Sequence, residues 1–136
     1  MFEILEHPAD IGFRVRAATL PELFAEAAQA LVAIAFEPGD VAMRETYALE
    51  ARGEDNESLL VNWLSEVLWL LDGPKLAMRE FRVISLAPGR VIGGALGEPR
   101  DPARHRAKLI VKGVTYHQLK VFQDRDGWCA EVFLDV

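Results

Sequence analysis

The sequence predicts an α+β fold, a mostly antiparallel β-sheet with two principal α-helices, in a single domain spanning residues 1–136. Three observations carry that expectation. Two stretches space their apolar residues for a helix and carry capping signals at their ends. Seven or so other stretches alternate apolar with polar residues, and turn chemistry separates them. Helices and strands do not alternate throughout, which argues against a parallel βαβ sheet.

Phe2 to Leu5 reads as a short strand that closes on Glu6-His7-Pro8-Ala9-Asp10. Pro8 keeps His7 extended and out of helix. Ile11, Phe13, Val15 and Ala17 then alternate with Gly12, Arg14, Arg16 and Ala18, a half-buried strand with a basic outer face. Asp10 stands at the handover between the two pieces. Thr19-Leu20-Pro21-Glu22 opens a helix, with Thr19 as N-cap, Glu22 completing a capping box and Pro21 in the first turn. That helix carries Leu23, Phe24, Ala27, Ala28, Leu31, Ile34 and Ala35, and ends before Pro38-Gly39. Its alanines let one face lie close against a sheet.

Val41 to Ala51 alternates again, and Gly53 to Asn56 breaks the pattern. Asp55 or Asn56 can cap a second helix. Its stripe is Leu59, Leu60, Trp63, Leu64, Val67, Leu68 and Leu71, and it stops at Asp72-Gly73-Pro74. A helix this apolar is expected to be central, with Trp69 the one aromatic that faces either a partner or the core. Glu80 to Ala87 and Arg90 to Ala95 form a hairpin around Pro88-Gly89. A strand from Lys108, a further piece from Leu119 to Gln123, the turn Asp124-Arg125-Asp126-Gly127 and a last strand from Trp128 complete the chain.

The composition narrows the function classes. With 51% hydrophobic and 26% charged residues the chain has the balance of a soluble globular protein, not a disordered one. A net charge of −6 argues against a broad phosphate-binding surface, so no direct nucleic-acid binding is expected. No apolar run is long enough to span a bilayer and no signal segment opens the chain, so no membrane association and a cytoplasmic location are expected. Cys129 is the only cysteine, which removes disulfides and thiolate metal clusters. Its alternating apolar surroundings suggest an inert buried thiol. Oligomeric state is not set by the sequence.

The segment Gly97-Glu-Pro-Arg-Asp-Pro-Ala-Arg-His-Arg106 is turn chemistry rich in bases, with little to bury. Arg100, Arg104, Arg106 and Lys108 either steer an acidic partner or coat a solvated loop. Lys112 interrupts the apolar run that follows. Gly113 beside it permits close approach of a backbone or ligand, and His117 shares its strand parity. Lys112 reads either as an edge-strand lysine that discourages aggregation or as a functional cation.

Asp10 and Asp135 lie at opposite ends of the sequence, each at the polar edge of an apolar strand. Pairing of the terminal strands would bring them together, and the Val136 carboxylate would add a third anionic group. Like charges so close call for a cation, and oxygen donors select hard ions such as calcium or magnesium. The alternative is a turn residue and a solvated terminus. His7 and His117 would join Asp10 as ligands, or as an acid–base pair. No phosphate loop, nucleophile elbow or His-Glu-x-x-His stretch is present. A metal-dependent hydrolase using Asp10, Asp135 and His117 stays open, as does a chaperone-like binding module.

Five stretches in order resemble the archease family: His7-Pro-Ala-Asp-Ile-Gly-Phe-Arg-Val15, Leu59-Leu-Val-Asn-Trp-Leu-Ser-Glu-Val67, Gly97-Glu-Pro-Arg-Asp-Pro-Ala-Arg-His105, Lys112-Gly-Val-Thr-Tyr-His-Gln-Leu119 and Phe133-Leu-Asp-Val136. Pro8, Gly113 and Arg100 depart from the residues usual there. The resemblance implies an archease-like fold and an accessory protein in tRNA processing and tRNA splicing, not a stand-alone enzyme. Its partner would be the RNA-splicing ligase that joins tRNA exon halves. The accessory protein would promote transfer of GMP from GTP to the ligase's active-site histidine and so permit repeated turnover. The resemblance further implies metal binding, with calcium or another hard divalent cation on Asp10, Asp135 and Val136. Lys112 would be the lysine that activates the ligase, and His7 and His117 would lie in the surrounding shell.

Overall fold

The structure, a computed structural model, describes all residues except Pro8, Ala9 and Pro38, and all side chains except those of these three and of Glu6 and His7. In chain order the described elements are β1 (Phe2–His7), β2 (Asp10–Ala17), α1 (Leu20–Ala35), β3 (Glu45–Arg52), α2 (Asn56–Asp72), β4 (Leu76–Ala87), β5 (Arg90–Pro99), β6 (Gly113–Asp124) and β7 (Gly127–Asp135). They form the α+β fold that the patterning predicts. The strands divide into two antiparallel sheets, one ordered β1-β2-β7-β6 and the other β3-β5-β4.

Both helices start where the polar side chains can satisfy orphan N–H groups. Thr19 accepts from the Glu22 N–H at 3.3 Å, one half of the expected box. Asp55 is the second N-cap and makes a full reciprocal box. Its carboxylate accepts from the Ser58 N–H at 2.7 Å, and the Ser58 hydroxyl accepts from the Asp55 N–H at 3.2 Å. Gly73 closes α2 with its N–H on the Trp69 carbonyl.

Helix α1 packs on β2 and β4, and α2 on β6 and β3, so each helix touches both sheets and the pair fills the space between them. Leu23, Phe24, Leu31, Leu60, Trp63, Leu64, Val67 and Leu71 are all at most 1% exposed. Trp63 adds a directed tie, its indole N–H donating to the Phe24 carbonyl at 3.0 Å. A buried indole needs such a partner. Trp69 lies on the opposite side of α2, 60% exposed, so the helix is central but not covered all round.

Several boundaries differ from the sequence reading. Strand β3 starts at Glu45, because Val41 is buried outside the ladder. The hairpin turns where expected, with Ala87 facing Arg90, and is longer at its open end, where Leu76 pairs with Pro99 beyond the apolar alternation. The largest correction concerns the strand expected from Lys108. Ala107 bridges to Phe36, and the Lys108 N–H donates to the Ala35 carbonyl at 2.8 Å, so this stretch serves the end of α1 instead of a sheet. Strand β6 begins only at Gly113.

Candidate functional site

Register alone assembles a row of residues across one end of the four-stranded sheet. His7 stands opposite Asp10 in the β1–β2 pair. The β2–β7 ladder ends with Ile11 facing Leu134, so Asp10, the residue before Ile11, and Asp135, the residue after Leu134, both stand at that end of the sheet. Gly113 faces Asp135 in the β6–β7 pair. Strand parity sends Asp10 and Asp135 to the face away from the helices, since Phe13, Val15, Val132 and Leu134 fill the core face.

The rows beneath explain why this end is chemically distinct. Next in order are Leu5, Gly12, Phe133 and Thr115. A Cβ on Gly12 would meet the Phe133 ring at 2.7 Å, so glycine here lets the ring lie flat over the sheet. One row further down, Arg14 reaches Glu3 and Glu131 at 3.4 Å each, and Lys120 stands opposite Glu131. That row is charge-balanced. The Asp10–Asp135 row is not. Asp10 and Asp135 bring two like charges to one sheet end, and like charges that face each other across strands are destabilising. Among the described residues neither carboxylate has an ion-pair or hydrogen-bond partner.

The other sequence-derived candidates fall as follows. Lys112 is exposed, not buried within an apolar strand, and precedes β6. Its main-chain N–H donates to the Asp135 carbonyl at 2.7 Å. Val111 before it is buried, which holds the backbone down while the lysine side chain stands in solvent. β6 is an edge strand, so the edge-lysine reading also keeps its geometric basis. His117 does not share the simple parity expected of it. Between the pairs Thr115–Phe133 and Lys120–Glu131, residues 116–119 stand against Val132 alone, and Gln118 takes φ 53°. This bulge carries His117 out of the ladder into solvent. The His7 side chain lies outside the described residues. Val136 extends the β7 end by one residue.

No group of three His, Cys, Asp or Glu side chains among the described residues is arranged to hold a metal ion. The donor chemistry nonetheless suits a hard cation. Asp10 and Asp135 offer two carboxylates without a competing base, and the adjoining Val136 supplies main-chain oxygen. Hard divalent ions accept such oxygens and complete their shells with water. Cys129 offers no rival ligand, being buried, with its thiol pushed up by desolvation.

Sequence reading missed the cluster inside the basic segment. Glu98, 1% exposed, accepts from the Ala42 N–H at 2.7 Å and from the Arg104 guanidinium at 2.8 and 3.2 Å. His105, 3% exposed, places Nε2 at 3.1 Å from the same carboxylate. The Asp101 N–H donates to His105 Nδ1 at 2.8 Å, which leaves the ring proton on Nε2 to donate to Glu98. Arg104 first, then the Ala42 N–H, holds the Glu98 carboxyl down at about 2. The signal was present as a carboxylate seven residues before a histidine, but the surrounding bases suggested a solvated loop. Arg100 also turns inward. Its guanidinium lies 4.3 Å over the Phe36 ring and donates to the Leu71 carbonyl in the last turn of α2.

A helix pair packed between two antiparallel sheets defines a small α+β class of protein. Residues 2–136 match the model of the Archease protein family (MTH1598/TM1083). Protein archease from Methanopyrus kandleri is 38% identical over 138 residues, covering 99% of either chain. The solution structure of protein 1598 from Methanobacterium thermoautotrophicum matches with TM-score 0.85 and 30% identity, over 99% of this chain and 98% of that one. A crystal structure of an archease and possible chaperone from Thermotoga maritima shares the fold, with TM-score 0.67 and 19% identity over 97% and 94% of the two chains. The chain belongs to the archease family.

Proposed function

We propose that this chain activates the tRNA-splicing RNA ligase as a non-catalytic accessory protein in the cytoplasm. It promotes guanylylation of the ligase's active-site histidine and so allows multiple turnover. In that step the histidine nitrogen bonds to the α-phosphorus of GTP, the bond to the bridging oxygen breaks, and pyrophosphate leaves. Family membership supports the class of function. The observation that carries the residue assignment is the cross-strand row with two unpaired carboxylates, beside a lysine anchored by its own backbone.

Asp10, Asp135 and the main-chain oxygen of Val136 would hold a calcium-type ion. Such an ion would supply positive charge at the sheet end, where phosphate oxygens are met. Lys112 presents an ammonium whose charge is free of any partner among the described residues. Charged contacts of this kind gain strength once docking excludes water. The row beneath, with Arg14 between Glu3 and Glu131, keeps the rest of that face near neutral.

The hydrolase alternative has less support. His117 sits in the β6 bulge and forms no metal-holding group with Asp10 and Asp135 among the described residues. A chaperone-like module would need a continuous apolar surface. The exposed large apolar side chains include Leu109 and Ile110 in the connection before β6 and Tyr116 and Phe122 on β6, with others such as Trp69 on α2 and Ile84 on β4. The direct experiment is ligase guanylylation with and without this protein. Stimulation supports the activator reading, and a ligase that labels equally well alone contradicts it.

A further inference from the structure

Between β5 and β6 the chain must cross from one sheet to the other, and no regular element spans the connection. What holds it is a series of tethers. Asp101 closes a tight turn, its carboxylate accepting from the Ala103 N–H at 3.0 Å and its carbonyl from the His105 N–H at 2.8 Å. Arg104 and His105, at the far side of that turn, both bind Glu98 at its near side. Glu98 also accepts the Ala42 N–H, so the turn is pinned to the approach of β3. Beyond the turn, Ala107 bridges to Phe36, Lys108 donates its ammonium to the Ala33 carbonyl at 2.9 Å, and Val111 is buried. The last tether is the bond from the Lys112 N–H to Asp135.

We propose that Glu98 is a positioning residue: its buried carboxylate, gripping Arg104 and His105, fixes the path of the connection and hence the place of Lys112 beside Asp135. The proposal rests on the functional reading of Lys112 given above, but its structural half does not. Three donors converge on a carboxylate that water cannot reach, so losing its acceptor capacity leaves them unsatisfied. The exposed stretch from Arg106 to Ile110 has few side chains of its own to hold it. Freed at the Glu98 end, it keeps its ties to the end of α1, from the Glu37 N–H to the Arg106 carbonyl, from the Lys108 and Leu109 N–H groups to the Ala35 carbonyl and from the Lys108 ammonium to the Ala33 carbonyl, and loosening spreads through these and buried Val111 towards Lys112. Among the described residues no hydrogen bond or ion pair joins this cluster to Asp10 or Asp135, so the effect on activation is transmitted through the connection.

Glu98→Gln keeps the shape but turns an amide N–H₂ towards at least one donor. Arg104→Ala is the milder variant, since its side chain is 43% exposed and its removal leaves the Ala42 and His105 bonds in place. Glu50→Gln, which breaks an exposed 2.8 Å pair with Arg90, is the control. Hydrogen exchange on the isolated protein should find the amides of Lys108 and Lys112 exchanging about tenfold faster in Glu98→Gln, and less so in Arg104→Ala, while mid-α2 amides hold their rates. Maximal ligase stimulation at saturating protein should fall in the same order. A purely structural role would speed α2 and the connection together, and that result overturns the proposal. So does unchanged exchange at Lys108 and Lys112, in either variant. If exchange responds as expected but stimulation does not, the role of Lys112 fails while the clamp stands. Should Glu98→Gln not fold, Arg104→Ala decides by the same two readouts.

Discussion

The main-chain N–H of Lys112 donates to the carbonyl oxygen of Asp135 at 2.7 Å. This bond joins the last residue before β6 to the last residue of β7, where Asp135 also faces Gly113 at the sheet end from which β2 starts with Asp10. The side chains of the two bonded residues are both exposed and both free of ion pairs among the described residues. A backbone tie between them keeps a cation and an anion neighbours without spending either charge on the other.

The carboxylate row makes the first prediction. Calcium titrated calorimetrically into the wild type should bind, and Asp10→Ala should weaken binding roughly tenfold or more, as loss of a charged ligand does. Asp135→Asn should do the same. Undiminished affinity in both variants would show that the row is not the metal site. Neither position packs in the core, so the variants should melt near the wild type.

How much of this was readable beforehand depended on periodicity. Leu23, Phe24, Trp63 and Leu64 were legible as core because helical spacing repeats over many residues and averages out accidents. The approach of Asp10 to Asp135 was legible only as a possibility, since terminal strands pair often but register is a tertiary property. The β6 region was not legible. A four-for-one bulge at residues 116–119 breaks the period of two that placed His117 with Gly113, and nothing in Thr115-Tyr-His-Gln118 announces it. Glu98 and His105 lie in a segment whose turn residues and bases signal solvent, where isolated polar residues normally stay. Their burial depends on Ala42 arriving from elsewhere in the chain and on Arg104 folding back across the turn onto Glu98.

The helix phase gives the second prediction. Leu64 is fully buried between the sheets, and Leu64→Ala should cost roughly 2–5 kcal/mol by losing transfer energy and leaving a cavity. Equilibrium denaturation in urea measures it. An unchanged midpoint would mean that the packed face of α2 is wrongly assigned.

Acid provides the third. The folded Glu98 carboxyl is held at about 2 against an ordinary 4.5, because the folded state favours its charged form. Stability from this group is therefore complete above about 4.5 and is lost as pH falls towards 2. The stability difference between wild type and Glu98→Gln should stay constant above that window and shrink inside it. Arg104 keeps its charge throughout, since Glu98 and Asp101 raise its pKa further. A difference that grows on acidification would contradict the assignment.

Substitution of Lys112 separates folding from activation. Its side chain is exposed and has no polar partner among the described residues, and its backbone N–H bond to Asp135 survives substitution. Lys112→Met should therefore fold, melt within a few tenths of a kcal/mol of the wild type as surface changes do, and retain calcium. The measurement is transfer of radiolabelled GMP from GTP to the ligase, with wild-type protein, with Lys112→Met and with no addition. The wild type should stimulate labelling, and the folded variant should leave it at the level of the ligase alone. Full stimulation by Lys112→Met would contradict the account and return Lys112 to the role of an edge-strand lysine.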